Sequence, residues 1–410
     1  MPLVYVHGVG NRLGDTYDRR CVERDALFRQ FMFPAINANQ DDVVHNPYWG
    51  AFGARLRWDG ASLPAGDLES LGAPHPRDAP DWLLAEVATS TPVEHPDRLL
   101  RAVADHDVAA AVDLIFSLLT QESAADAPTI GDAASRFVGY LRYREGLYPE
   151  SDQGQRYPWL ASVTDDSTFL EQLWQQSAGW ALDRNGRPAQ VDQDTAAQVE
   201  VLGGGQVPEW LRAVPRRVRR SLARMARIPV SAMVTNSRAA FGGTLALLAG
   251  DALTYLRERG EIGAPGPIAR VVVEAIEAAS VRRADGAPLV VVAHSLGGVI
   301  AYDALTHFRP DLTVDVLLTV GSQVGLFAEL ALLGRAETEG TPARIAIPSG
   351  IRTWINVVDR ADPLAFLAEP VFDRVSDYRY QTPTVWAHTA YLRQPTFHAR
   401  LADRVRAALA

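Results

Sequence analysis

The sequence predicts an α/β protein with a mostly parallel sheet flanked by helices and a large, mainly helical insertion. Three observations lead to this prediction. Short apolar, strand-like segments occur near both ends of the chain and alternate with helical segments. The middle of the chain has helical patterns joined by segments rich in Pro, Gly and Asp. Residues 289–305 (LVVVAHSLGGVIAYDAL) pass from an apolar strand into an apolar helix through a turn of small residues.

The N-terminal elements are a strand, a helix and a second strand. Residues 3–8 (LVYVHG) predict a short buried strand that ends in a glycine turn. Residues 15–36 predict a helix, and residues 41–50 (DDVVHNPYWG) predict a second strand. Near the C-terminus, three further strands rich in Val and Ile are predicted at residues 288–295, 314–322 and 351–359. Near-continuous apolar strands separated by helices indicate a parallel sheet covered on both faces.

We interpret residues 51–234 as a helical insertion, a cap or lid over one end of the sheet, and residues 1–50 and 235–410 as the core. A long insertion beside a functional face commonly has this role. Its segment 212–228 is basic and amphipathic, with arginines at positions 212, 216, 217, 219, 220, 224 and 227. A helix packed on the domain with a solvated arginine face is the favoured interpretation of this segment. Peripheral contact with an anionic membrane through residues 212–228 is the alternative.

The composition is that of a globular protein and disfavours nucleic acid as the main partner. Of the 410 residues, 47% are hydrophobic and 22% are charged, and the net charge is −9. Phosphate binding needs a basic face, which an acidic chain does not favour. A single cysteine, Cys21, excludes an intrachain disulfide and is interpreted as an ordinary helix residue.

No targeting or membrane-spanning segment is predicted. MPLVYVHG begins a strand at once, without a basic and apolar leader before it. The longest apolar candidate, residues 241–256, is interrupted by Asp251 and is shorter than the roughly 18 apolar residues that a span needs. We therefore expect a soluble, cytoplasmic protein, and the richness in Ala, Arg and Gly is typical of a GC-rich bacterial source.

Ser295 lies at the point where the strand becomes a helix, which is the position of an activated serine nucleophile. A serine hydroxyl becomes reactive when a histidine takes its proton and backbone N–H groups stabilise the oxyanion. A sharp strand-to-helix turn needs small residues two positions before and after the serine, and here they are Ala293 and Gly297. The N-terminus of the following helix, with its free N–H groups, then faces the site. An ordinary glycine-containing turn is the alternative.

These motifs resemble the α/β-hydrolase superfamily, and within it the lipase and esterase-type serine hydrolases, including those related to GPI-inositol deacylases and DDHD phospholipases. The resemblance is carried, in the family's order, by YVHGVGNR (5–12), DALTYL (251–256), VVVAHSLGGVIAYDAL (290–305), LTVGS (318–322), NVVDRADPLAFL (356–367) and AHTAYL (387–392). Residues 50–235 match nothing in the family, and GSQ at 321–323 departs from the usual GSP.

The resemblance implies an α/β-hydrolase fold that starts at the strand normally third in the sheet. It also implies a serine hydrolase that cleaves a carboxylic ester, of a lipid or phospholipid, through an acyl-enzyme, so that the expected partner is a small-molecule or lipid ester substrate. No cofactor is expected, and no metal site either, because neither paired cysteines nor an H-E-x-x-H spacing occurs. The alternatives are a peptidase, thioesterase or acyltransferase with the same triad, and a non-catalytic binding or effector protein.

The chain order expected for this fold is serine, then acid, then histidine. We expect His388 to be the base, because it lies in a loop after the last predicted strand. His307 follows the nucleophile on the same helix and cannot reach back, and His398 is expected to be exposed on the C-terminal helix. His294, beside Ser295, is expected to be structural.

The acid is expected in the segment NVVDRADPL, which offers two aspartates. Asp359 ends the apolar strand, and Asp362 follows in the loop before a proline. Asp362 is favoured, because the acid of the resembling lipases is the aspartate of the DP pair. Asp373 and Asp377 are weaker choices. The acid holds the imidazole tautomer and stabilises the imidazolium.

The oxyanion hole needs two N–H donors, which we expect from Leu296 and from the loop after the first strand. Val9 is the first choice in that loop and Gly10 the second. Gly8 and Gly10 allow the backbone to approach the substrate carbonyl. His7 is expected to order this loop through a hydrogen bond.

Overall fold

A parallel sheet of five strands forms the centre of the computed structural model. The strands lie side by side in chain order. They are β1 (Leu3–Val6), β2 (Val290–His294), β3 (Val314–Val320), β4 (Ile351–Asp359) and β5 (Val375–Tyr380). The structure describes residues 2–39, 42–55, 58, 95–119, 127–191, 206–225, 246, 249–283, 286–333, 344–382 and 387–410. The prediction of an α/β protein with a mostly parallel sheet is confirmed.

Helices lie on both sides of this sheet and in the insertion. They are α1 (Asp15–Leu27), α2 (Leu99–His106), α3 (Val108–Ser117), α4 (Ala127–Leu147), α5 (Asp166–Gln176), α6 (Glu209–Met225), α7 (249–257), α8 (Pro267–Arg282), α9 (Leu296–Asp303), α10 (Val324–Glu329), α11 (Ala387–Ala390) and α12 (Pro395–Leu409). Shorter pieces are the π-helical turns Phe28–Met32 and Ala304–Phe308, the helical turns Phe33–Ala35, Gly50–Phe52, Gln153–Arg156, Pro158–Ser162 and Tyr391–Arg393, and the hairpins Trp180–Leu182 with Pro188–Gln190 and Gly260–Glu261 with Ala264–Pro265.

Helices cover each face of the sheet, which explains why the central strands are apolar along most of their length. Successive strand residues point to opposite faces. Val291 packs with α8 and α9 on one face. Val290 and Val292 pack on the other face, with the π-helical turn after α1 and with α12. A strand buried on both faces has no polar side to show in its sequence.

The described part of the insertion adds a further layer outside α1 and α12. Helices α2 to α6 share one apolar core with Phe31 after α1 and with Ala399 and Ala402 of α12. The insertion is therefore packed on the helix layer of the core, and the cap over the sheet end remains a prediction. Much of the predicted insertion, at 59–94, 120–126, 192–205 and 226–234, lies outside the described residues, as does the boundary at 234–235.

Two strand assignments differ from the sequence prediction. Of the strand predicted at 41–50, residue 41 lies outside the described residues. Residues 42–50 form a bridge between His45 and Val4, because Pro47 offers no N–H and the chain turns at Gly50–Phe52. Strand β5 was not predicted, because it is an edge strand whose side chains are mostly polar or half-buried. Among the described residues, no helix is both long and apolar enough to cross a membrane.

Candidate active site

Ser295 occupies a strained turn between β2 and α9. Its φ of 55° and ψ of −130° lie in a region that non-glycine residues rarely adopt. The Ser295 N–H donates to the Val320 carbonyl of β3 at 2.9 Å, which ties the turn to the sheet. A Cβ on Gly297 would lie 2.6 Å from the carbonyl oxygens of Val6 and His7. The small residue expected two positions after the serine is thus required by the approach of β1.

The structure brings together the serine, histidine and favoured aspartate of the sequence analysis. His388 Nε2 lies 3.0 Å from Ser295 Oγ, and His388 Nδ1 lies 3.0 and 3.1 Å from the two oxygens of Asp362. Ser295, His388 and Asp362 are 0%, 6% and 4% exposed. A carboxylate on one side of the imidazole and a hydroxyl on the other is the arrangement that activates a serine.

Asp362 is held as a hydrogen-bond acceptor by two further donors. The Leu364 N–H donates to Oδ1 at 2.8 Å, and the Tyr391 hydroxyl donates to Oδ2 at 3.0 Å. Burial and the nearby carboxylates of Asp362 and Asp359 raise the pKa of Tyr391, so its phenol keeps its proton. The Asp362 side chain therefore remains oriented toward His388.

The other candidate acids hold backbone segments instead. Asp359 accepts from the N–H groups of Ala361, at 2.8 Å, and Thr382. Asp373 accepts from the Ile347 N–H, and Asp377 accepts from the N–H groups of residues 368 and 369. Of the four aspartates considered, only Asp362 has a described hydrogen bond to His388.

His294 contacts the backbone of His388. Its Nε2 lies 2.7 Å from the His388 carbonyl oxygen. Burial, together with the nearby His388, lowers the pKa of His294 to about 3. The ring is therefore neutral and donates its Nε2 hydrogen to that carbonyl, a structural role as expected.

The expectation of an exposed His398 was wrong. This residue of α12 is fully buried, and its ring centroid lies 4.9 Å from that of Phe28. Its Nε2 lies 3.1 Å from the Leu392 carbonyl oxygen. Burial lowers its pKa to about 4. The reason is that His398 lies on the face of α12 that packs on the core.

Leu296 and the loop that carries Val9 lie beside the serine. Leu296 is the first residue of α9, so its N–H has no partner within the helix. Gly8 passes so close that a Cβ on it would lie 2.8 Å from Ser295 Cβ. Gly10 N–H donates to Asp251 Oδ2 at 2.9 Å and is therefore already engaged, so Val9 stays the first choice in this loop.

His7 orders the loop before Val9, as expected. The Trp49 N–H donates to His7 Nε2 at 3.2 Å, and the two rings stack at 4.6 Å. Burial lowers the pKa of His7 to about 4, so the ring is neutral. With Nε2 as the acceptor, Nδ1 carries the hydrogen and donates to the Gly8 carbonyl at 2.8 Å.

Gln323 stands where the resembling lipases have a proline, and it joins the loop after β3 to the turn that carries Asp362. Its Nε2 donates to the Gly321 carbonyl at 3.0 Å and the Leu364 carbonyl at 2.6 Å. Gly321 has a φ of 56°, and a Cβ there would lie 2.8 Å from Asp362 Oδ2. The glutamine at position 323 thus connects, through its side-chain amide, the two backbone segments on either side of Asp362 Oδ2.

Within the described ranges, no group of three or more His, Cys, Asp or Glu side chains is arranged to hold a metal ion.

No family model, no curated protein and no solved structure matches the chain.

Proposed function

We propose that the protein is a serine hydrolase of the α/β-hydrolase type that cleaves carboxylic esters, with lipid or phospholipid esters as its substrate class. The observation that carries this proposal is the hydrogen-bonded chain of Ser295, His388 and Asp362 at a strained strand-to-helix turn. Further support is the sheet of parallel strands, because ligands of such sheets bind at the carboxyl ends of the strands.

The proposed reaction is acyl transfer to water. His388 Nε2 takes the hydroxyl proton of Ser295 as Oγ attacks the ester carbonyl, and the N–H groups of Leu296 and Val9 stabilise the oxyanion. Asp362 stabilises the imidazolium. His388 then gives the proton to the alcohol as the C–O bond breaks, which leaves an acyl-serine. A water molecule, deprotonated by His388, releases the acid and restores Ser295.

An acyl chain in the substrate is proposed from the lipase-like motifs that surround the triad residues. These are LTVGS (318–322), NVVDRADPLAFL (356–367) and AHTAYL (387–392).

The basic helix α6 has its apolar face occupied by the insertion itself. Trp210, Leu211, Val214, Val218 and Leu222 belong to the core of the insertion. Arginines 212, 216, 219 and 220 are exposed, which agrees with the favoured interpretation of a packed helix with a solvated face. A membrane would meet this helix through its arginines alone, and that contact remains a prediction. Arg227 and Ile228 lie outside the described residues.

Labelling with a fluorophosphonate probe tests the proposal. We expect the folded wild type to be labelled, and Ser295→Ala to remain unlabelled. Ser322→Ala is the matched control, because Ser322 is equally buried at the end of the neighbouring strand β3. An unlabelled but folded wild type would favour a non-catalytic binding protein.

Hydrolysis of nitrophenyl esters of increasing chain length, phospholipid vesicles and peptide amides then separates the substrate classes. We expect turnover to rise with acyl length and peptide amides to be inert. Preferred cleavage of amides or thioesters would replace the ester assignment while retaining the triad.

A further inference from the structure

Two successive peptide groups in the loop after β1 are each held by side chains. The Gly8 carbonyl accepts from His7 Nδ1 at 2.8 Å and from Asn11 Nδ2 at 2.9 Å. In a trans peptide the carbonyl and the following N–H point in opposite directions. His7 and Asn11 therefore fix the direction of the Val9 N–H by holding the oxygen on the other side of the same peptide plane.

The next peptide group is held from both sides as well. The Val9 carbonyl accepts from Asn11 Nδ2 at 3.3 Å, and the Gly10 N–H donates to Asp251 Oδ2 at 2.9 Å. Gly10 has a φ of 71°, which a residue with a side chain rarely adopts. The plane after Val9 is thus fixed by Asp251 as well as by Asn11, which also holds the plane before it.

Asp251 is a rigid anchor for this loop. Its side chain is fully buried, and its Oδ1 accepts from the Ala54 N–H at 2.7 Å and from Arg12 Nη2 at 2.8 Å. The carboxylate thus joins three chain segments that are far apart in sequence: the loop after β1, the residues after the 50–52 turn, and α7.

We infer that Asn11 and Asp251 are positioning residues that direct the Val9 N–H into the oxyanion hole. This inference rests on the proposed function. A rotated Gly8–Val9 peptide would present a carbonyl oxygen to the developing oxyanion in place of an N–H. A donor that is fixed beforehand needs no reorganisation when the charge develops, and this is the main source of its effect on rate.

The test compares Asn11→Ala and Asp251→Asn with Asp303→Asn. Asp303 is a matched control, because it is equally buried, pairs with Arg259 and bonds to α7 through Tyr255. Asn11 is only partly buried, so its variant should fold even if Asp251→Asn does not. The readouts are kcat and KM for a nitrophenyl ester, and the affinity for a trifluoromethyl ketone, which adds to Ser295 as a tetrahedral hemiketal.

For the two loop variants we expect kcat to fall about 10- to 100-fold with KM nearly unchanged, as for a misplaced catalytic group. The affinity for the ketone should fall by a similar factor. The pH at half-maximal rate should not move, because His388 and Asp362 are untouched. Asp303→Asn should lower the melting temperature without a selective loss of kcat.

Folded loop variants with wild-type kcat and ketone affinity would overturn the inference while leaving the proposed hydrolase intact, provided that Ser295 of the wild type is labelled. A wild type that no fluorophosphonate labels would remove the proposed function, and the inference with it. A shift of the pH profile would also overturn it, because the variants would then be acting through the triad.

Discussion

The two carboxylates of the turn after β4 stand three residues apart and have different partners. Asp362 faces the His388 ring, whereas Asp359 accepts from the backbone N–H groups of Ala361 and Thr382. Replacing each by asparagine keeps the shape and removes the charge. The pair of variants therefore separates an electrostatic role in catalysis from a structural role in the turn.

We expect Asp362→Asn to lower kcat about 10⁴-fold with little change in melting temperature, because an amide nitrogen facing Nδ1 favours the wrong imidazole tautomer. Asp359→Asn should keep kcat within a few-fold. It should cost about 1–3 kcal/mol of stability through the loss of a buried acceptor. Ester hydrolysis and thermal unfolding measure both effects. A larger loss of kcat in Asp359→Asn would identify Asp359 as the acid.

Among the individual site residues, the sequence predicts those whose neighbours in the chain indicate their role. Ser295 follows from the small residues around it, and His388 follows from its place after the last strand. Asp359 and Asp362 satisfy the same chain position, and the resemblance to lipases favours Asp362. Of the two, only Asp362 has a described hydrogen bond to His388. Asn11 and Asp251 lie in two of the motifs that carry the resemblance, but the motifs gave them no role, because Asp251 acts on a residue 241 positions away in the chain.

Among the elements, helix α3 of the insertion holds the N-terminus of α12. Asp113 accepts from the backbone N–H and the hydroxyl of Thr396, and the Ser117 carbonyl accepts from Arg393 at 3.2 Å. The segment that carries His388 ends where these contacts begin. Helix α3 therefore stabilises the position of the chain directly after the segment that carries His388.

This contact makes a prediction about pH. Burial raises the pKa of Asp113 to about 7 from its usual 3.8, in spite of the hydrogen bonds from Thr396. The folded state then holds a proton that the unfolded state releases, so this contribution to stability is full below about pH 4 and is lost as the pH rises to about 7.

We expect Asp113→Asn to remove this contribution, so that the free energy of unfolding falls less steeply between about pH 4 and pH 7 than in the wild type. Urea unfolding across that range measures the slope. Asp166 is buried in the same insertion, and burial raises its pKa to about 7. Its contribution to the slope should therefore be the same in the variant as in the wild type. An unchanged slope would show that Asp113 is ionised in the folded protein throughout.

The strands that could be predicted from the sequence are those that are buried on both faces of the sheet, because their residues form nearly continuous apolar segments. Strands β2, β3 and β4 are apolar along most of their length because helices cover both sides of the sheet. Strand β5 lies at the end of the described sheet and contains the polar residues Ser376, Asp377 and Arg379, so the same criterion missed it. Residues 41–50 met the criterion for a strand, yet Pro47 and the turn at Trp49 limit the pairing to His45.

For the whole molecule, the sequence predicts an α/β core with a helical insertion, whereas the position of the insertion depends on its contacts. The insertion core includes Leu27 and Phe31 near α1 and Ala399 and Ala402 of α12. The same helices turn their other sides to the sheet, as Phe28 and Phe397 do. Removing the insertion would expose apolar side chains of the core, so the two parts should unfold together.

Phe137→Ala tests this cooperation. Phe137 is fully buried in α4 and lies between Phe116 and Trp174, so its truncation should cost about 3–5 kcal/mol. We expect the melting temperature measured by tryptophan fluorescence and the temperature at which Ser295 labelling is lost to fall by the same amount. Leu147→Ala, at an exposed site of the same helix, should change neither. Labelling that survives after the insertion has melted would show that the two parts are independent domains.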